Sequence, residues 1–457
     1  MRLFAIELAD RAVCFARGGQ VLASSPATVF DGSTAEAAGS GAWHALRSHP
    51  TVTSSRHLES VLTQPDAPER ASELLTADLA KRLQEHRPTE GESVWVAAPA
   101  EADPRGLGAV LGICRQLSLP IGGFIDSATV TVAALALQRS AIVLELGLHR
   151  VAATAVDVAA GTARRRRSII GQPSGLIELY QACLELIAGS MVRRTRFDPL
   201  HDAAVEQRLF DSIPSLMRAA AAGAAQVTLT PGAETFEVEL SRDQFALAAQ
   251  PLNREILRLI HELRPAGTPV TLVLPTALLA VPGLRDELEQ FVGCDLIACD
   301  DGFGAAAISI GDHPAPAADA PIHLVRRASS QHAPETLAGM TTRACLGGLK
   351  ASGPPPTHLL LDGRALALGS DPFVVGRAPA MALVLPDGVA GVSRRHCTFV
   401  RDGAERVLLD HSTFGTFVNG ERVAERARVY AGDRVRLGEP GVELALIAVG
   451  EPDAGAP

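Results

Sequence analysis

The sequence predicts a multidomain protein with an α/β domain at the N-terminus and an all-β sandwich at the C-terminus. Three observations support this. Apolar strand candidates alternate with helical stretches up to about residue 311, which is typical of α/β folds. A stretch rich in Pro, Ala and Ser follows at residues 312–356. Beyond it, short apolar runs are separated by turn dipeptides such as Asp-Gly, which indicates a sandwich of short strands.

Composition narrows the class of protein. The chain has 457 residues, too many for one ordinary core. Its 51 acidic and 42 basic residues give a net charge of −9, which argues against a general nucleic-acid binder. No apolar run reaches the roughly 18 residues that a membrane span requires, and the seven cysteines form no C-x-x-C pair. We therefore expect a cytoplasmic protein that associates with neither membrane nor nucleic acid.

The N-terminal body, residues 1–311, contains the alternating elements. Apolar runs predict a strand pair within residues 3–15, joined by a tight turn at Ala9-Asp10, and further strands at residues 93–97, 141–146, 151–156 and 270–274. Helical periodicity predicts helices at residues 69–85, 106–117, 176–190, 203–222 and 252–263. Residues 31–70 show little periodicity and yield no element.

Residues 312–356 are interpreted as a linker. A segment of this composition buries too little apolar area to offset its ordering entropy, although residues 322–325 are compatible with a short strand. The linker separates the N-terminal body from a C-terminal module at residues 357–450.

The C-terminal module carries four motifs in order. They are Gly376-Arg377, Ser-Arg-Arg-His at residues 393–396, Asp-His-Ser-Thr-Phe-Gly-Thr at residues 410–416, and Phe-Val-Asn-Gly at residues 417–420. With these motifs in this order, residues 357–450 resemble the forkhead-associated (FHA) domain, a β-sandwich that reads phosphothreonine.

The resemblance implies a phosphopeptide site on loops at one end of the sandwich. The implied phosphopeptide-binding residues are Arg377, Ser393, Arg394 and either Thr413 or Ser412. The implied structural residues are Gly376, His396, Gly415, Asn419 and Gly420. The chemistry agrees, because a phosphate with a charge of about −1.5 to −2 favours a guanidinium fork and neutral donors.

One residue departs from the family pattern. Phe414 stands where the family usually has an asparagine that holds the peptide backbone after the phosphothreonine. A phenylalanine side chain cannot donate that hydrogen bond. The departure concerns peptide affinity and selectivity, whereas the residues implied for the phosphate are present.

The N-terminal body carries a second resemblance. Segments at residues 5–10, 94–99, 123–134, 142–147, 270–288 and 300–307 are similar, in order, to the phosphate and adenosine motifs of DnaK-type heat-shock chaperones. The resemblance implies an actin-like ATPase fold, which is a duplicated ribonuclease-H-like α/β architecture.

The residues that would contact nucleotide are altered. Ala9 replaces a phosphate-loop glycine, and Asp10 with Arg11 replaces two threonines. The residual nucleotide-site candidates are Glu7, Asp10, Glu145 and Gly147. Two lone carboxylates on strand ends are more often solvated than metal-bound. We therefore expect a degenerate pseudo-ATPase without catalytic residues, metal or cofactor.

The leading functional hypothesis is a non-enzymatic adaptor that binds a phosphothreonine-containing protein, such as a Ser/Thr kinase or its substrate, and docks through its pseudo-ATPase domain. The alternative is an active, ATP-binding chaperone-like protein that its FHA domain targets.

Two arginine-rich strings complete the sequence features. Residues 164–167 are four consecutive arginines on a predicted hairpin strand, interpreted as a charged, solvated edge. Arg-Arg-Ala-Ser at residues 326–329 is similar to the sites of kinases that favour basic residues.

Overall fold

The computed structural model describes residues 2–448 apart from several gaps, at 33–34, 65–68, 265–269, 290–293, 314–321, 330–334, 346–354, 362–363, 387, 389–390, 404, 419–420, 424, 432 and 439–440. The chain forms two compact units. The N-terminal unit holds most of the chain up to Ala344, and Cys345 begins the C-terminal part of the second unit.

The N-terminal part of the chain alternates strands and helices. Its strands are β1 (Arg2–Ala9), β2 (Ala12–Arg17), β3 (Gln20–Ser25), β4 (Val29–Gly32), β5 (Ala35–Ala38), β6 (Thr53–Ser54), β7 (Glu92–Ala98), β8 (Ile121–Asp126), β9 (Ala141–Leu146), β10 (Arg150–Ala159), β11 (Thr162–Pro173), β12 (Ala224–Leu229), β13 (Phe236–Ser241), β14 (Thr271–Pro275), β15 (Asp295–Cys299), β16 (Leu324–Val325), β17 (Arg327–Ser329) and β18 (Thr341–Cys345). Its helices are α1 (Ser40–Trp43), α2 (His57–Thr63), α3 (Glu69–Arg82), α4 (Pro104–Gln116), α5 (Ser127–Ala134), α6 (Leu176–Thr195), α7 (Ala203–Ala221), α8 (Arg242–Leu263), α9 (Leu284–Leu288), α10 (Phe303–Ile310) and α11 (Glu335–Ala338), with 3-10 turns at Pro199–His201 and Thr276–Ala280.

Two sheets of this unit repeat one strand order. In the first, β1, β2 and β3 form an antiparallel meander, and β7 and then β8 extend it in parallel on the other side of β1. In the second, β9, β10 and β11 form the meander, β14 lies parallel to β9, and β15 follows β14. The mixed α/β class predicted for this part of the chain is therefore confirmed.

The interior explains why these runs form central strands. Residues 92–98 on β7 are buried throughout, as a strand covered on both faces requires. Alternate residues of β1 pack into two different clusters: Phe4, Ile6 and Leu8 contact helices α2–α4, whereas Leu3 and Ala5 lie in the cluster that includes α5 and α10. Each face of the sheet is thus closed by helices.

The structure corrects the interpretation of residues 312–356 as a linker, because three short strands lie within them. Within residues 312–356, β16 pairs in parallel with β8, and β17 pairs antiparallel with β11. The strand β18 joins the second sheet beside β15. These short strands bury little apolar area of their own. They form because neighbouring sheets supply hydrogen-bond partners for their backbone groups, and amino-acid composition carries no information about such partners. The N-terminal unit therefore continues to Ala344.

The C-terminal unit is a β-sandwich. Its strands are β19 (His358–Leu361), β20 (Arg364–Ala367), β21 (Phe373–Gly376), β22 (Leu383–Val384), β23 (Cys397–Asp402), β24 (Glu405–Asp410), β25 (Thr416–Val418), β26 (Glu421–Arg422), β27 (Arg426–Val429), β28 (Arg434–Leu437) and β29 (Val442–Ile447). One sheet has the order β20-β19-β29-β28-β25-β26 and the other β22-β21-β23-β24-β27. Buried side chains from both sheets, including Leu359, Phe399 and Leu444, form one core.

Among the residues that the structure describes, no helix is long and apolar enough to cross a membrane.

Candidate functional site

The motifs of the C-terminal sandwich lie on three connections between strands. Gly376 ends β21, residues 393–396 precede β23, and residues 411–415 connect β24 to β25. Backbone hydrogen bonds hold the first two connections together: the Arg377 N–H donates to the Ser393 carbonyl oxygen at 3.2 Å, and the Ala378 N–H donates to the Arg394 carbonyl oxygen at 3.0 Å. Arg377, Ser393 and Arg394 thus share one end of the sandwich.

Gly376 permits this close approach. A Cβ atom at residue 376 would collide with the carbonyl oxygen of Arg394. Any larger residue would push the Ser393–Arg394 backbone away from Arg377. Gly415 is required for another reason, because its φ of +87° lies in the left-handed region that favours glycine. The structure thus gives a physical reason for glycine at both positions, a close backbone approach at residue 376 and a positive φ at residue 415.

His396 ties the second connection to the third. Its side chain is fully buried; Nδ1 accepts a hydrogen bond from the Ser393 N–H at 3.0 Å, and Nε2 lies 3.2 Å from the Gly415 carbonyl oxygen. An acceptor at Nδ1 and a donor at Nε2 define one neutral tautomer. Burial lowers the pKa of His396, in agreement with a neutral ring.

Ser393 makes a second link to the same connection. Its Oγ accepts a hydrogen bond from the Thr413 N–H at 3.1 Å. Beneath this link, one carboxylate oxygen of Asp410 accepts from the Ser412 N–H at 3.0 Å and from the Thr416 hydroxyl at 2.6 Å. Burial raises the pKa of Asp410, but these hydrogen bonds outweigh it, so that its pKa lies below the ordinary value. The loops are therefore positioned before any ligand binds.

The side chains differ in what they present to solvent. Arg394 and Thr413 are exposed, Ser393 and Arg377 are half-buried, and the Ser412 hydroxyl oxygen is buried. Thr413 is thus better placed than Ser412 to contact a ligand from solvent. Phe414, at the tip of the same connection, is 60% exposed, unusually high for a large apolar side chain.

Asn419 and Gly420, which sequence reasoning assigned to a structural turn, lie outside the described residues.

The N-terminal nucleotide-site candidates also converge. Asp10 follows β1 and Gly147 follows β9; the Asp10 carboxylate accepts a hydrogen bond from the Leu148 N–H at 2.9 Å. A Cβ at residue 147 would lie only 2.9 Å from that carboxylate, so a glycine lets Asp10 approach. The Leu148 N–H, in the turn after β9, is thus occupied by the Asp10 carboxylate from the turn after β1.

Glu7 and Glu145 repeat this arrangement. Glu7 accepts from the Ala305 N–H at 2.9 Å, in the first turn of α10, and Glu145 accepts from the Ala100 N–H at 2.8 Å. Burial raises the pKa of Glu7, and it raises the pKa of Glu145 to about 8. Among the described residues, no group of three or more His, Cys, Asp or Glu side chains is arranged to hold a metal ion.

Arg11 was not among the sequence candidates, yet it has the most extensive contacts there. Its guanidinium forms a two-pronged ion pair with Asp301, with Nη1 2.8 Å from Oδ2, and Nε donates to the Leu146 carbonyl oxygen at 3.1 Å. These contacts connect the β1–β2 turn to the end of β9 and to the approach of α10. Arg11, Asp301, Glu7 and Glu145 line a cleft that is open to solvent.

No local signal marks this pair, because Asp301 lies 290 residues after Arg11. The fold places the turn after β1, in the first sheet, beside the turn after β15, in the second sheet.

Comparison with known proteins bears on the C-terminal unit. The FHA domain family model matches residues 373–438. Over 89 residues, 19% of this chain, the protein is 36% identical to the FHA domain-containing protein FhaB of Mycobacterium tuberculosis and to that of Mycolicibacterium smegmatis. The chain spans 56% of the length of these relatives. Residues 373–438, which carry the connected loops at one end of the sandwich, are therefore an FHA domain.

Proposed function

We propose that this protein is a phosphothreonine-dependent adaptor whose FHA domain captures a phosphorylated partner protein, either a Ser/Thr kinase or a substrate of one. The observation that carries the proposal is the cross-linked loop end of the sandwich, where His396 and Ser393 hold the connections that present Arg377, Arg394 and Thr413. A site built before binding loses little entropy when a ligand arrives.

The proposed roles follow from charge and exposure. The half-buried Arg377 anchors the phosphate with its guanidinium, and the exposed Arg394 adds a second charge from the rim. Ser393 and Thr413 supply hydroxyl groups beside the arginines. The Thr413 N–H already bonds Ser393 Oγ, which orients that hydroxyl so that its proton points elsewhere, available to a phosphate oxygen.

The test is selection of binding partners by the full chain from a degenerate phosphothreonine peptide library. We expect phosphorylated peptides to be retained by the wild-type protein, unphosphorylated ones to be lost, and Arg377→Ala to lose retention. Arg428→Ala is the matched control, because Arg428 is an exposed arginine on β27 of the same domain, paired with Glu405. Equal retention of both peptide forms would overturn the proposal.

For the N-terminal unit we propose a degenerate actin-like domain that needs no nucleotide and serves as a docking body. The repeated strand order of the two sheets supports the architecture. Three contacts support the loss of nucleotide: Asp10, Glu7 and Glu145 each occupy a backbone N–H with a carboxylate at the sheet ends. A triphosphate would need these same backbone donors, and it would have to displace the carboxyl groups that already occupy them.

Thermal unfolding of the full chain with Mg·ATP tests this part. A ligand at about 100 times its Kd stabilises a protein by about 2.7 kcal/mol, a shift of several degrees. We expect Mg·ATP to produce the same small shift as Mg²⁺ with inorganic phosphate. A saturable shift specific to ATP would favour the alternative, an ATP-binding chaperone-like protein.

A further inference from the structure

The outer edge of the second sheet of the N-terminal unit carries an unusual cross-strand arrangement. Strand β17 lies antiparallel to β11, with Thr162 opposite Ser329, Ala163 opposite Ala328, and Arg164 opposite Arg327. Ala163 is buried in the core and Ala328 packs against it. Because side chains alternate along a strand, the two flanking pairs share the outward face.

This face brings two like charges together. Arg164 and Arg327 are exposed and directly opposite, an arrangement that destabilises strand pairing. Within the part of the chain that the structure describes, neither arginine forms an ion pair. The acidic residue on the other side of Arg164 is Asp157, whose carboxylate lies 3.5 Å from Arg166 Nε. Asp157 is therefore engaged by Arg166, and no carboxylate in the described part of the chain forms an ion pair with Arg164 or Arg327.

The hydroxyl of Ser329 lies where an anion would relieve this repulsion. Ser329 is exposed, two residues beyond Arg327 on the same face and diagonal to Arg164 across the ladder. Such neighbours have Cα atoms about 7–8 Å apart, which arginine side chains can span. The guanidinium groups of both residues can therefore reach a phosphate on Ser329.

The sequence around Ser329 completes the argument. Arg326 and Arg327 precede the serine by three and two residues, a spacing that basic-directed Ser/Thr kinases favour. Strand β17 has only three residues and pairs with β11 at the end of the sheet, so that opening it for a kinase breaks few hydrogen bonds.

We propose that Ser329 is a phosphorylation site and that the guanidinium groups of Arg164 and Arg327 bind the phosphate on Ser329. Phosphorylation would then stabilise the pairing of β17 with β11. In the reaction, Ser329 Oγ attacks the γ-phosphorus of kinase-bound ATP and forms the O–P bond. The bond from the γ-phosphorus to the β,γ-bridging oxygen breaks, ADP leaves, and the hydroxyl proton passes to the kinase base. Phosphorylation replaces repulsion between two arginines with two charge-assisted contacts.

The first arm of the test is modification. The full chain is incubated with the catalytic subunit of cyclic-AMP-dependent protein kinase and Mg·ATP, and the products are mapped by mass spectrometry. We expect Ser329 to be phosphorylated in the wild-type protein, and no phosphate at this position in Ser329→Ala. Absence of phosphate on Ser329 of the wild-type protein would overturn the proposal.

The second arm measures whether Arg164 receives the phosphate. Trypsin cleaves after Arg326 and Arg327, so its rate reports the opening of β17. A phosphate near the cleavage sites slows trypsin by itself. The comparison is therefore with phosphorylated Arg164→Gln, which carries the same phosphate but lacks the Arg164 guanidinium. We expect phosphorylated wild-type protein to be cleaved about tenfold more slowly than phosphorylated Arg164→Gln.

Arg164→Lys should retain most of the protection, and Arg115→Gln, which changes an exposed arginine on α4, should retain all of it. Equal cleavage rates for phosphorylated wild-type protein and phosphorylated Arg164→Gln would refute the binding of the Ser329 phosphate by Arg164.

Discussion

The ion pair between Arg11 and Asp301 makes a quantitative test of the N-terminal unit possible. Its two side chains are 12% and 34% exposed, between a buried pair and a surface pair. Breaking a buried pair costs about 3–5 kcal/mol, and an exposed pair contributes about 0.2–1 kcal/mol. For Arg11→Met we therefore expect a loss of about 2–3 kcal/mol, which includes the hydrogen bond to the Leu146 carbonyl oxygen.

The assay is thermal unfolding of the full chain, following the transition of the N-terminal unit. A loss of this size should lower its Tm by about 3–4 °C. The double variant with Asp301→Asn gives the coupling energy, expected at about 1–2 kcal/mol. Arg242→Met is the matched control, because the Arg242–Asp286 pair has side chains 46% and 61% exposed. Equal effects of Arg11→Met and Arg242→Met would refute the reasoning.

Three other perturbations follow from the two sites. His396→Ala should destabilise the FHA domain by about 2–4 kcal/mol, measured by urea unfolding, because it removes two buried hydrogen bonds and leaves a cavity; a loss below about 0.5 kcal/mol would contradict this. Gly376→Ala should weaken phosphopeptide binding at least tenfold in calorimetry, because its methyl group displaces the Arg394 backbone. The stability of the N-terminal unit should fall as pH rises from about 4.5 to about 8, because burial makes Glu145 hold its proton more tightly in the folded state. Glu145→Gln should flatten that dependence, and an unchanged profile would argue against it.

Much of the architecture could be predicted because it is encoded locally. Apolar runs placed β7, β9 and β14 within a few residues, and the motif order located the FHA domain and its loop residues. Helix α8 shows where local reading stops. Helical periodicity predicts a helix at residues 252–263, but the helix begins at Arg242, where Ser241 and Gln244 form a capping box, and it carries Pro251 in its interior.

Other features depend on partners distant in sequence. The strand β17 is three residues long and forms because β11 supplies its backbone partners. The run of arginines at residues 164–167 was interpreted as a solvated edge, but Arg165 donates to the buried Asp126 at 2.7 Å and β17 covers part of the strand. Neither contact has a local signature, because each joins segments that only the sheet topology brings together.

The central claim is that the FHA domain reads phosphothreonine through Arg377 and the loops that His396 connects. Calorimetry of the full chain with one library-selected peptide, in its phosphothreonine, phosphoserine and unphosphorylated forms, tests this claim most directly. We predict binding of the phosphothreonine form at least tenfold tighter than the other two, lost in Arg377→Ala and kept in Arg428→Ala. Equal affinity for the three forms, or undiminished binding by Arg377→Ala, would contradict the account.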